Sequence, residues 1–200
     1  MAAFRTPYDE HYDQALELWT RGGTVDQVLQ HVAGIDDENF RDGTLAKMAG
    51  YFAAQGRVAE AERFCDAIQN PIEHADALFE VGRELSSHND PTSAKRIFDQ
   101  TVTATSAIKS GAWEAPAIFL QVSDALWVLG ETQEAMQLLK RAAVLAQRPP
   151  QHFESSKTLA GCARLLSKWG HPALAIEVAS TIESAEQRDT VTKELRKAPE

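Results

Sequence analysis

The chain has 200 residues, of which 44% are hydrophobic and 24% charged, a balance that excludes a disordered polymer and provides enough length for a real core. The formal net charge of −9 falls entirely in the first hundred residues, where 18 acidic side chains stand against 9 basic ones, while residues 101–200 carry 11 of each. Such acidity repels phosphate backbones and anionic lipid, so nucleic acid and membrane surfaces are not expected partners and a basic surface is favoured.

Two widely spaced cysteines, Cys65 and Cys162, form no disulfide framework, and no apolar run reaches the roughly 18 residues of a membrane span. Met1 to Pro7 lacks the charged-then-apolar pattern of a signal peptide, which makes a cytoplasmic, reducing setting the expectation.

In chain order, residues 1–7 are expected to be a flexible tail. Tyr8–Arg21 and Thr24–Ala33 read as a first helical hairpin over 8–34, with Gly23 at the turn. Val28 stands where later units have alanine, and the aromatics Phe4, Tyr8, Tyr12 and Trp19 gather in and before this hairpin.

Four further units follow, over 36–69, 70–108, 110–148 and 149–182, each centred on a turn residue: Gly56, Asn89, Gly130 and Gly170. Both residue types tolerate the left-handed backbone that closes a helix. Eleven, eight and four residues before each turn stand apolar side chains: Leu45, Met48 and Phe52 in the first unit, Phe119, Val122 and Leu126 in the third. That spacing is one stripe of a helix. Seven before each turn is a small residue (Ala49, Gly82, Ser123, Ala163), and five after it an alanine (Ala61, Ala94, Ala135, Ala175). Small side chains in both columns let two helices approach closely. Large ones resume on the second helix at Phe64, Ile97, Leu138 and Val178.

Asp90-Pro91 and His171-Pro172 place proline where a helix can begin, and Asn70-Pro71 and Pro149-Pro150 break the chain between hairpins. The turns are 33, 41 and 40 residues apart, with the surplus around Thr103–Trp113 and Arg148–Ser155. Glu183–Lys197 begins like another first helix; Ile182…Arg188-Asp189 repeats the spacing of Ile35…Arg41-Asp42. The segment 183–198 is mostly polar, as a capping helix should be.

These columns resemble the tetratricopeptide (TPR) pattern. They do so most clearly in Phe119-Leu-Gln-Val-Ser-Asp-Ala-Leu-Trp-Val-Leu-Gly-Glu-Thr-Gln-Glu-Ala135 and in Gly56-Arg-Val-Ala-Glu-Ala61. The resemblance implies an all-α fold: a right-handed α-α superhelix of about five hairpins plus a capping helix, as one domain over 1–200. It also implies a protein- or peptide-binding scaffold acting through a concave face. Carried onto this sequence, the inward residues of interest are Phe79, Arg83, Asp124, Trp127, Lys157, Arg164 and Lys168. The cations would form a basic patch for a carboxylate, and Phe79 and Trp127 would be apolar anchors. A neighbouring unit offers Gly43, Ala46, Gly50 and Ala53, a nearly bare surface. The alternatives are a structural module that self-associates into homo-oligomers, and a helical repeat that binds RNA.

Catalytic signatures are missing. The six histidines form no H-E-x-x-H pair, and no nucleophile elbow or phosphate-binding glycine loop occurs. No enzyme activity, cofactor or metal is expected.

Overall fold

The computed structural model describes residues 7–109, 112–148 and 153–197, and for Pro7 and Tyr8 the backbone only. Residues 1–6 of the expected tail, Phe4 among them, and the Pro149-Pro150 break lie outside the described residues. Eleven α-helices and no strand occur among the described residues.

Ten helices form five hairpins: α1 (Pro7–Thr20) with α2 (Val25–Ala33), α3 (Glu38–Ala53) with α4 (Val58–Asp66), α5 (Pro71–Ser87) with α6 (Pro91–Ala107), α7 (Glu114–Val128) with α8 (Thr132–Ala146), and α9 (Phe153–Lys168) with α10 (Pro172–Ser180). Helix α11 (Ala185–Leu195) follows alone. The chain divides into two compact units, Met1–Ala107 with α1–α6 and Ile108–Glu200 with α7–α11. In the first, α1, α3 and α5 neighbour one another in succession; in the second, α7, α9 and α11 do.

Each hairpin closes in the same way. Gly56, Asn89, Gly130 and Gly170 adopt φ of 70°, 61°, 88° and 82°, the left-handed region. The following residue then donates its N–H five residues back: Arg57 to Phe52, Asp90 to Leu85, Glu131 to Leu126, His171 to Leu166. This is the Schellman closure, which satisfies carbonyls that a helix end would leave unpaired. It explains the apolar column four residues before the turn, whose side chains fill the core while their carbonyls fasten the closure.

The first hairpin corrects one expectation. Its left-handed residue is Gly22, at φ 93°, rather than Gly23. Gly23 donates to the Leu18 carbonyl at 3.0 Å, and a Cβ there would lie 2.6 Å from that oxygen. Thr24 adds one residue to the turn and builds a capping box with Gln27, so α2 starts late. The extra residue carries Val28 into the buried place of the later alanines. Measured from Gly22, the small residue of α1 is the fully buried Ala15.

The small columns are where the helices meet. Ala49, Ala163 and all four alanines after the turns are fully buried, and Ser123 buries its hydroxyl by donating to the Phe119 carbonyl at 2.5 Å. A Cβ on Gly82 would stand 2.6 Å from the Phe98 ring. The surplus residues of the two longer units lengthen their second helices: α6 has 17 residues and α8 has 15, against 9 in α2, α4 and α10.

Capping follows local sequence. Asp37 and Asn70 each accept two N–H groups at the starts of α3 and α5, and the Asp90 carboxylate accepts from Ser93 N–H at 3.0 Å. Pro71, Pro91 and Pro172 each open a helix. One carboxylate ties neighbouring hairpins: Asp42, 1% exposed, accepts from Asn70 N–H at 2.9 Å and Gln69 N–H at 3.2 Å.

Candidate functional site

The first helices of the second unit, α7, α9 and α11, carry five of the seven residues singled out from sequence. The glycine closures fix where each helix ends, and so which side chains face one another across the seams. Trp127 stands three residues before Gly130, and Trp169 one residue before Gly170. Their rings stack with centroids 4.2 Å apart and planes 5° from parallel. Trp169 is 7% exposed, while Trp127 covers it and keeps part of its own ring at the surface. Beside them Val128 is 71% exposed. The pair is an aromatic platform with a rigid backing.

Two ion pairs run along the same helices. The Lys168 ammonium donates to Asp124 Oδ1 at 3.4 Å, joining α9 to α7. Arg164 Nε donates to Glu194 Oε2 at 2.9 Å, joining α9 to α11. Lys157 pairs within its own helix with Glu154 at 2.7 Å and lies over the Phe153 ring, 4.4 Å from its centroid. Such exposed pairs contribute little stability, ~0–1 kcal/mol each. Their larger effect is on the local field, because each cation is matched by an anion.

The basic patch expected from sequence is therefore not formed. Arg83, in the first unit, gives both Nε and Nη2 to Glu80 Oε2, at 2.8 and 2.6 Å, and the charged partner holds its guanidinium pKa above the ordinary arginine value. Phe79 is also corrected as an anchor: it is 9% exposed and its ring lies 6.0 Å from that of Phe98. It packs inside the α5–α6 hairpin, where α6 runs about two turns longer than its counterpart α4. The structure thus brings Asp124, Trp127, Lys168 and Arg164 together on one unit and sets Phe79 and Arg83 in the other.

What sequence reasoning missed is pairing across hairpins. Trp169 was legible as a second aromatic beside a turn, but the stack joins residues 42 positions apart. Glu194 was the other omission; its signal was the repeated Arg-Asp phrase, which marks α11 as a first helix laid beside α9.

Other chemistry is sparse. Burial pushes the thiols of Cys65 and Cys162 up to about 12, so both stay protonated and unreactive at neutral pH. Among the described residues no group of three or more His, Cys, Asp or Glu side chains could hold a metal ion. No helix described is long and apolar enough to cross a membrane.

No family model and no curated protein sequence matches the chain. Solved structures do. Ton1535 from Thermococcus onnurineus NA1 is similar over 94% of this chain at 14% identity and a TM-score of 0.54; this chain spans 57% of that protein's length. A Podosopora anserina chain, a putative kinesin light chain with nearly identical TPR-like repeats, is similar over 98% of this chain and 100% of its own, at 17% identity and a TM-score of 0.52. A single-residue variant of that chain is similar over 94% of this chain and 96% of its own, at 17% identity and a TM-score of 0.53. The chain has a TPR-like helical-repeat fold.

Proposed function

We propose that the protein is a protein- or peptide-binding scaffold that works through its first-helix face, with the second unit as the gripping part. The observation that carries this reading is the Trp127–Trp169 stack beside the exposed Val128. A partly exposed tryptophan braced from behind loses little side-chain entropy on binding, and tryptophan is enriched among residues that dominate interface energies. The flanking pairs Lys168–Asp124 and Arg164–Glu194 each offer a cation and an anion at the rim. Either can exchange its partner for a carboxylate or a basic group of a ligand, so the rim sets orientation more than affinity. The reading treats the hairpins as one repeat domain without catalysis, acting in the cytoplasm, where the two free cysteines stay reduced. The acidic first half argues against RNA.

Peptides selected by display on the wild-type protein provide the test. Trp127→Ala is expected to weaken them by about 30-fold or more, the loss of ~2 kcal/mol that marks a hot spot. The double variant Arg83→Glu/Arg164→Glu should change salt dependence with a smaller loss. Equal binding by a folded Trp127→Ala protein would remove this face from consideration.

A further inference from the structure

Helix α11 repeats the phrase that opens α3, and the two can be compared position by position. Ser184 caps α11 as Asp37 caps α3; Val191 is buried as Thr44 is. In α3 the next seats, Asp42, Leu45 and Ala49, are buried, and α5 lies alongside. Their counterparts in α11 are Asp189, Thr192 and Arg196. Asp189 and Arg196 are exposed, and they line an open groove of about 490 Å³ with Thr192, Lys193 and Lys197. This is the seat of a following first helix, furnished with three cations instead of apolar side chains.

We propose that this groove receives α1 of a second copy of the chain, giving head-to-tail self-association. The occupant is argued from charge. Helix α1 holds Asp9, Glu10, Asp13 and Glu17 and no lysine or arginine; Asp9 is paired with Lys47 of α3 and Glu17 with Arg21 just beyond the helix, and the remaining carboxylates keep this end acidic. Glu10, Gln14 and Glu17 follow helical spacing on its exposed side. Asp42 shows how such a seat is used: its carboxylate takes two N–H groups at the start of the helix hairpin that follows. Asp189 holds the same place on α11. Lys193, Arg196 and Lys197 then run beside the acidic turns. The contact joins two different surfaces, so it is heterologous and assembly is not limited to a dimer. It rests on charge, so it weakens as salt screens it. The proposal does not depend on the tryptophan face and stands or falls separately from it.

The test is the weight-average mass by light scattering over a concentration series of the full chain at low and high salt. At low salt the mass should rise above that of the monomer with concentration, and at high salt return to it. Lys193→Glu/Arg196→Glu/Lys197→Glu and, separately, Glu10→Lys/Glu17→Lys should each stay monomeric, with unchanged helical circular dichroism. Mixed one to one, the two variants should assemble again, because each reversed end is complementary to the other. A monomer at every concentration at low salt would overturn the proposal. So would association that survives either reversal, or a mixture of folded variants that stays monomeric.

Discussion

The two units use the same hairpin for different surfaces. Residues 1–107 hold the whole net charge, and none of the exposed large hydrophobic side chains lies there among the described residues. Residues 108–200 are neutral and expose Trp113, Val128, Val144, Phe153 and Ile176. The first unit turns its aromatics inward: Trp19 meets Phe52 edge-on at 5.0 Å, and Phe52 stacks on Phe64 at 5.2 Å. It also straps its second helices together, Arg63 to Asp26 and Arg96 to Glu62, besides the Lys47–Asp9 pair on the first helices. At the column of Arg63 and Arg96 the second unit has Gln137 and Glu177, and its straps between helices lie on α7, α9 and α11 instead. One unit therefore uses its aromatics for packing; the other leaves Trp113 and Phe153 exposed and Trp127 partly so.

The sharpest way to probe this difference is to remove the inward ring. Phe52→Ala should destabilise the first unit by about 3–5 kcal/mol, read as a lowered melting transition. Trp127→Ala should cost markedly less stability, because part of that ring is already in water. Equal losses would mean that the partly exposed Trp127 is as structural as the buried phenylalanine.

The small columns come next. Gly82→Ala drives a methyl against the fully buried Phe98 ring and should cost about 1–3 kcal/mol. Gly161→Ala meets only the end of the half-buried Leu120 side chain, at 2.5 Å, and should cost less than Gly82→Ala. Thermal denaturation of both variants orders them.

Asp42→Ala leaves two N–H groups without their acceptor and should cost about 1–3 kcal/mol in chemical denaturation. The smallest effect concerns pH. A hydrogen bond from Arg96 holds the Glu62 carboxyl pKa below its ordinary value. A carboxyl depressed in the folded state stabilises above its unfolded pKa, so this contribution is present at neutral pH and fades as pH falls through the acid range. Glu62→Gln should lower stability by about 0.5 kcal/mol at pH 7 and by nothing measurable once the carboxyl is protonated.

Much of the fold was legible in the sequence because it is written in local terms. A left-handed residue, a small residue seven before it and an alanine five after it are steric requirements of one hairpin, and each can be read without knowing the rest. The first hairpin escaped this reading because two glycines stand together; which one turns depends on the Leu18 carbonyl, a backbone fact. The candidate site was only partly legible. Lys157, Arg164 and Lys168 are exposed, yet their partners are chosen by side-chain reach, and Glu194 lies 30 residues from Arg164. Phe79 escaped for a similar reason: it is buried against the Phe98 ring of α6, and which side chain stands opposite a first-helix position is not set by the turn motif.

The most direct test of the proposed grip is amide hydrogen exchange on the protein with and without a display-selected peptide. Protection is expected to rise on α7 and α9 around Trp127, Val128 and Lys168, with α2, α4 and α6 unchanged. Protection confined to the second helices, or to the acidic first unit, would contradict the account.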